Sequence, residues 1–574
     1  MHVFKMVVVS FFLISNGVDA QDTKPEADLV VTNASIYTMN ERQPQAQAVA
    51  IKDGRFVYVG SSQGVKAYIR SETKVLNAEH QMLMPGINDA HIHPILGGIK
   101  DLYECNFPFS ATAQLIAQSI ATCVEKNPEA EWIVGGQWDS GFFDNNHLES
   151  PKEFLDKVSG NKAIYLSDDS THNAWVNSKA LLLAGINKDT VDPSGGEFVR
   201  DDKTGEPNGI LLESATKLLY KSVPDWSANQ YQNAVKHVVK TGHSFGITGM
   251  KDAGSPINGM AAYYALDQNN DLNMHMATSI RSPDGHRNVK IDYDAIDQLR
   301  DRYKSTNVHT EFVKIFVDGV PTSSHTAAML DHYVVKDGEK PTNGDMLLSP
   351  KLLSQDLIEL DRRGYTVKIH TAGDRAVRVA LDAIESARKA NGDSGLRHEL
   401  AHVGYVHKDD LPRFSSLNAV ADLSPYLWHP SPLIDAIISA VGLPKAAKYW
   451  PVKTLLELKT PMLAGSDWPA AVASMNPWLG IEAMVTRKDP LDVYPGELWA
   501  EQAISLEQVL KIFTIDGAKA LKLERLTGSV EVGKSADFIV LKQNIFEIPP
   551  EQISDTQVEL TVFNGQLVYQ YKQK

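Results

Sequence analysis

Eight short apolar runs, each followed by helix-patterned sequence, constrain this chain more than any other feature. They are "MPGINDAHIHP" (84–94), "GITGMKDAG" (246–254), "NMHMATSIR" (273–281), "EFVKIFVDG" (311–319), "YTVKIHTAGD" (365–374), "LRHELAHV" (396–403), "NAVADLSP" (418–425) and "PMLAGSDWP" (461–469). Alternating strand and helix implies a parallel sheet, and eight units predict an α/β fold of the (β/α)8 barrel type. One helix is plain in the sequence: after Asp374 as N-cap, Ala376, Val377, Ala380, Leu381 and Ile384 form a single apolar stripe. The gap between the first two strands, about residues 100–240, is far too long for one crossover and predicts an inserted subdomain.

The ends have a different texture. "ADLVVTNASIYTM", "AVAIKDGRFVYVG" and "KVLNAEHQMLMPG" are β-rich, as are "ADFIVL" and "VELTVFNGQLVYQ" near the C-terminus. Asp53-Gly54 and Asn564-Gly565 mark tight hairpins. Both ends together predict one small β-sandwich, residues 27–84 with 523–574, flanking a barrel over 85–522. Residues 1–20 read as a cleavable signal peptide: a basic start, the apolar run "MVVVSFFLIS", and Val18 and Ala20 at the cleavage positions. The mature protein is expected to be periplasmic or secreted. No other apolar run approaches membrane length, so no membrane insertion is expected.

A net charge of −15 over 574 residues leaves no basic excess to neutralise phosphates, which argues against a nucleic-acid partner. Cys105 and Cys123 can form one disulfide but exclude a four-cysteine zinc site. Any metal must be held mainly by histidine, carboxylate or a modified lysine.

In "NDAHIHP", His91 and His93 are two residues apart and share one face of a strand. Pro94 ends that strand, placing both at its C-terminal end, where barrel active sites lie. His370 in "VKIHTAGD", His402 in "ELAHVG" and Asp467 in "LAGSDWP" lie near the ends of three further strands. Four histidines and one aspartate converging from four strand ends predict a divalent metal site, the donor types suiting zinc. Lys314 stands inside "FVKIFVDG", where an ammonium within a barrel is costly. As a neutral amine it can add carbon dioxide and become a bridging carbamate. A lysine snorkelling at the rim reads equally well from that residue alone, and Lys368, on the face of His370, is a rival.

"HELAH", His398 to His402, is the H-E-x-x-H pattern of zinc proteases, which requires a helix. Here it follows a loop and ends two residues before Gly404, which suits a strand. In a protease Glu399→Gln abolishes turnover; otherwise the change is expected to matter little.

These segments together resemble the amidohydrolase superfamily, and specifically its amidohydrolase-3 branch of YtcJ-like proteins, which includes N-substituted formamide deformylases. "LMPGINDAHIHP", "EWIVGGQWD", "DSTHNAWVNSKALLLAGI", "FVKIFVDG", "HTAAML", "IHTAGDRAV", "RHELAHVGYVHKDDLPRF", "AGSDWPAAVASMNPWLGIEAMVTR" and "LTGSVEVGKSADFIVL" follow in the family's order across nearly the whole mature chain. The resemblance implies that His91, His93 and Asp467 hold one metal and that His370 and His402 hold another, with Lys314 bridging as an N6-carboxylated lysine. Where the family has Glu before the sixth-strand histidine, this chain has Ala401. The implied reaction is hydrolysis of a non-peptide carbon–nitrogen bond in a small amide, with Asp467 as general acid and base. A lactone or ester hydrolase on the same site, or a binding protein that keeps the barrel without its chemistry, are the alternatives. His172 is expected to line the substrate cavity from the insertion, with Trp138, Asp318 and His325 as further cavity candidates and Arg375 as an anchor for its helix. A small-molecule substrate and a second copy of the chain are the candidate partners.

Overall fold

The computed structural model describes residues 24, 26–139, 141–193, 195–281, 289–322, 324–335 and 340–572. The signal-peptide reading of residues 1–20 lies outside them. Eight parallel strands form one sheet: β1 (Ile87–Ile92), β2 (Ile247–Ser255), β3 (His275–Arg281), β4 (Val308–Phe316), β5 (Thr366–Thr371), β6 (Glu399–His402), β7 (Val420–Leu423) and β8 (Met462–Ala464). Each pairs with the next in chain order, so the sheet curls until β8 approaches β1. Beyond the strand ends, Asp467 N–H donates to the His91 carbonyl (2.7 Å) and His93 N–H to the Trp468 carbonyl (2.9 Å), which join the two edges. The sheet is thus nearly closed as a barrel, as the alternating pattern predicts.

The interior is layered. Ala90, Ala277, Phe312, Val420 and Leu463 pack low in the barrel with Leu521 and Leu523 beneath them. A buried charged layer of Lys251, Lys368, Glu399 and Asp422 follows, and the histidines lie toward the C-terminal ends of the strands. Outside, helices cover the barrel. The helix Asp374–Asn391 buries Ala376, Val377, Ala380, Leu381 and Ile384 as its stripe requires. Its N-cap is Gly373, however, and not Asp374. The Asp374 carboxylate is engaged elsewhere, by the Leu330 N–H (2.8 Å) and Lys445 (3.0 Å).

Strands from both chain ends share a six-stranded sheet: Met82–Pro85 pairs antiparallel with Phe538–Leu541, which pairs with Val558–Phe563. A four-stranded sheet of Arg55–Gly60, Ala48–Lys52, Leu29–Thr32 and Lys74–Asn77 faces it across a common core that includes Val31, Phe56, Leu83, Phe538 and Val540. Asp53 and Gly54 both have positive φ (49° and 75°), as do Asn564 and Gly565 (49° and 74°), the backbone that a two-residue hairpin demands. Between β1 and β2 the chain builds another six-stranded mixed sheet, from Cys105–Asn106 to Pro207–Glu213, with Cys105 and Cys123 disulfide-bonded. This insertion touches the barrel rim, where Gln137 donates to the Pro469 carbonyl (2.8 Å) and Ala471 N–H to that of Asp169 (2.7 Å). No helix among the described residues is long and apolar enough to cross a membrane.

Candidate metal centre

The strand ends bring the candidate ligands to one place. Asp467 Oδ1 lies 3.4 Å from His91 Nε2 and 3.2 Å from His93 Nε2, and Oδ2 lies 3.5 Å from His402 Nδ1. His402 Nε2 faces His370 Nδ1 at 3.1 Å. His91, His402 and Asp467 can each turn one donor atom into a common space less than 4.8 Å across. Local backbone irregularity aims these groups. The β1–β2 ladder slips register between Asp89 and Ile92, so Ala90 and His91 both face inward. On β6, Glu399 and Ala401 share the inward face, and alternation would send His402 outward. A left-handed backbone at His402 (φ 74°) turns its ring toward Asp467, itself left-handed (φ 60°).

Hydrogen bonding fixes which nitrogens are free. His91 Nδ1 lies 2.7 Å from an Asp422 oxygen, which only accepts, so Nδ1 carries the proton and Nε2 presents a lone pair. That Nε2 is buried without a hydrogen-bond partner. It faces a carboxylate oxygen, and two acceptors meeting this way repel unless a cation lies between them. Two ligands about 2.1 Å from a tetrahedral zinc ion stand about 3.4 Å apart, close to the His–Asp467 separations here. His370 likewise donates from Nε2 to the Gly319 carbonyl (3.0 Å), leaving the Nδ1 lone pair toward His402. Burial above all, then neighbouring positive charge, holds His91 and His402 well below the ordinary histidine pKa and His370 down to about 3, so all three are neutral donors. The donor set fits a divalent cation.

Lys314 is 1% exposed, with Nζ 4.9 Å from the centre of the Phe316 ring. Burial, then the charge of Lys368, lowers its pKa to about 7, and its own charge bears on His91, His370, His402 and Asp467. Lys368 is different. It pairs with Asp422 and with Glu399 (3.0 Å) and donates to the Ala90 carbonyl (3.2 Å), partners that outweigh burial and raise its pKa. It is a structural cation, and the rival reading of it as the modified lysine falls.

Glu399 also pairs with Lys251 (2.5 Å), deep inside the barrel. The H-E-x-x-H segment is therefore a strand whose glutamate pairs with two buried lysines, while His398 turns away to Asp361 (3.0 Å). Glu399→Gln would thus unpair buried charge and lower stability, which is separate from the expectation that turnover changes little.

The cavity candidates divide. His172 reaches the site from the insertion, its ring 5.9 Å from that of His370, with Nδ1 2.9 Å from Glu213. Burial would lower its pKa, but the Glu213 carboxylate prevails and holds it up at about 8. Thr326, after β4, donates to the other Glu213 oxygen (2.7 Å), so Glu213 ties insertion to barrel. Trp138 is instead a core residue of the insertion, 3% exposed, its indole N–H given to the Leu166 carbonyl. Asp318 is fully buried behind His370 and accepts from three backbone N–H groups, those of Ala328, Ala372 and Gly373. Its carboxylate holds the loops after β4 and β5 together rather than facing a cavity. His325 stacks on Tyr333, ring centres 4.5 Å apart. Arg375 donates to the Gly344 carbonyl (2.9 Å), an anchoring role. Sequence reasoning missed Asp422, Glu213 and Lys251. Asp422 and Lys251 carry the signal that singled out Lys314, a charge within an apolar strand.

Neutral imidazoles and a carboxylate gathered at the C-terminal mouth of a parallel barrel define the class of metal-dependent barrel hydrolases. The chain belongs to the amidohydrolase family, whose model matches residues 74–569. It is accordingly an enzyme, a hydrolase acting on carbon–nitrogen bonds. It is 27% identical to the putative amidohydrolase YtcJ of Bacillus subtilis (strain 168), over 93% of this chain and 98% of that one. It is 25% identical to the N-substituted formamide deformylase of Arthrobacter pascens, over 95% and 98%. Among solved structures, an uncharacterized metal-dependent hydrolase from Pyrococcus horikoshii OT3 superposes with a TM-score of 0.70 at 20% identity, covering 91% of this chain and 99% of that one.

Proposed function

We propose that the protein hydrolyses the carbon–nitrogen bond of a small, non-peptide amide, using a divalent metal held by His91, His93, His370, His402 and Asp467. The observation that carries this reading is the unpartnered lone pair of His91 facing Asp467, on whose two oxygens three imidazoles converge. Zinc suits this mixture of imidazole and carboxylate donors. Lys314, whose charge bears on three of the four histidines, is the proposed site of N6-carboxylation. A bound metal would lower the pKa of water and polarise the scissile carbonyl. Asp467 takes the proton of the attacking water and returns it to the leaving amine. Asp422 keeps the His91 ring in the tautomer that presents Nε2, and His172 closes the site from the insertion. The resemblance to a deformylase makes formamides the first substrates to try.

The test is turnover of an amide, lactam and formamide panel by metal-loaded protein, with matched esters alongside. Asp467→Asn should lose on the order of 10²–10⁴-fold in kcat. An Asp467→Asn enzyme as active as wild type, or a panel left untouched, would overturn the reading; faster cleavage of the esters would favour an esterase. A carbamate carbon signal after labelling with carbon-13 bicarbonate, absent from Lys314→Met, tests the modified lysine. We also propose export to the periplasm or medium, where the Cys105–Cys123 bond would persist. Sequencing the N-terminus of the mature protein tests that.

A further inference from the structure

Arg281, the last residue of β3, stands at the same end of the barrel as the histidines. Its side chain keeps contact with solvent, yet protein surrounds it closely enough that burial lowers its pKa from the ordinary arginine value. The guanidinium lies 5.3 Å from the centre of the Phe316 ring, and Phe316 in turn packs against His370, ring centres 5.6 Å apart. A β-carbon on Gly254, near the end of β2, would lie 3.5 Å from Arg281 Nη2 and 3.9 Å from His93 Cε1. The missing side chain leaves a gap with the guanidinium on one side and a candidate metal ligand on the other.

Among the described residues, the Phe316 ring is the close partner of this guanidinium. Asp252 is the carboxylate whose charge bears on it, and the Asp252 oxygens are taken by the Tyr263 hydroxyl (2.9 Å) and the Gly254 N–H (3.1 Å). On the insertion helix Ser214–Tyr220, Lys217 adds a second positive charge close enough to Arg281 for the two to repel. Two positive charges thus stand near each other here, with the Asp252 carboxylate bearing on Arg281 and that of Glu213 on Lys217. Stacked by one face on an aromatic ring, a guanidinium still offers its edge N–H fork, which matches a carboxylate.

We propose that Arg281 receives a carboxylate of the substrate, so that the preferred substrate is an amide carrying a carboxylate a few bonds from the scissile C–N bond. This rests on the amidohydrolase reading above and narrows its substrate class. The hydrolytic centre would bind the reacting amide while Arg281 fixes the far end, and the gap at Gly254 would admit the linking atoms.

The experiment compares matched pairs, such as N-formylphenylalanine and N-formylphenethylamine, which differ only by the carboxylate. Metal-loaded wild type, Arg281→Met and Arg281→Lys are assayed on both. Wild type should favour the acid, and Arg281→Met should lose about ten- to a hundredfold in kcat/KM on it, mainly through KM, the range for a hydrogen bond to a charged group. The neutral partner should change by less than about threefold. Arg281→Lys should lose less on the acid than Met, and it carries the test if the Met variant fails to fold. Equal cleavage of acid and neutral amide by wild type overturns the proposal, as does an equal loss on both in the variants, while either result leaves the amidohydrolase reading standing. Failure of wild type to cleave the acid also overturns the proposal, while the amidohydrolase reading falls only if the wider amide, lactam and formamide panel is left untouched as well.

Discussion

Asp422 bonds to a proposed metal ligand without being one. It accepts from His91 Nδ1 and from Lys368, and so fixes the ring whose other nitrogen faces Asp467. Replacing it with Asn should weaken metal binding about 10- to 100-fold, the usual effect of removing such a partner, read by competition with a chelator. Glu399 works at the same depth for a different purpose. Lys251 and Lys368 are both fully buried, and Glu399 pairs with each. Breaking a buried pair leaves an uncompensated charge, so Glu399→Gln should cost about 3 kcal/mol of stability, seen as a lower Tm. Turnover per folded, metal-loaded molecule should stay near wild type, whereas a zinc protease would lose it altogether.

The insertion is held as an element by its own sheet and core and by the bond between Cys105, on its edge strand, and Cys123, on the helix Ala113–Lys126. Closing a loop of sequence separation 18 is worth about 3 kcal/mol in the chain-entropy account. Reduction, or Cys123→Ser, should therefore destabilise the insertion and raise its protease sensitivity. Because His172 reaches the site from this element, turnover should fall with it even though no proposed metal ligand has moved. A second element-scale constraint lies where β8 meets β1. A β-carbon on Gly465 would run into the His91 backbone and the Asp89 carboxylate, so Gly465→Ala should push the two edges apart. The loss should register first in metal content, measured on purified protein, since Asp467 and His91 sit across that seam.

At the scale of the molecule, the terminal sheets and the barrel are one folding unit. Met82–Pro85 pairs with Phe538–Leu541 and leads directly into β1. Ile539, Leu541 and Val558 from the C-terminal strands belong to the same core as Ile87, Met250 and Leu357 of the barrel. Thermal unfolding followed by tryptophan fluorescence, whose nine reporters all lie between Trp132 and Trp499, should therefore coincide with the transition of the whole chain seen by far-ultraviolet dichroism. Truncation before Phe538 should leave no folded barrel. Two well-separated transitions, or a soluble and cooperative truncated barrel, would refute this.

Local patterning was enough to predict all eight barrel strands, both hairpins and the strand-end origin of the metal candidates, because periodicity and turn chemistry are properties of neighbours in sequence. Even the disguise of "HELAH" could be read through, since its context suited a strand. What tertiary structure decided depends on residues far apart in the chain meeting in space. Trp138 and Asp318 look polar or amphipathic enough to line a cavity, yet the folded chain gives their hydrogen bonds to backbone groups in its interior. His402 faces the wrong way by strand alternation and is turned inward by a left-handed backbone that the pattern of residues does not announce. The choice between Lys314 and Lys368 was open until Asp422 and Glu399, from two other strands, were found to neutralise one of them. A charge in a barrel declares itself in sequence, but its partner is chosen only when the sheet closes.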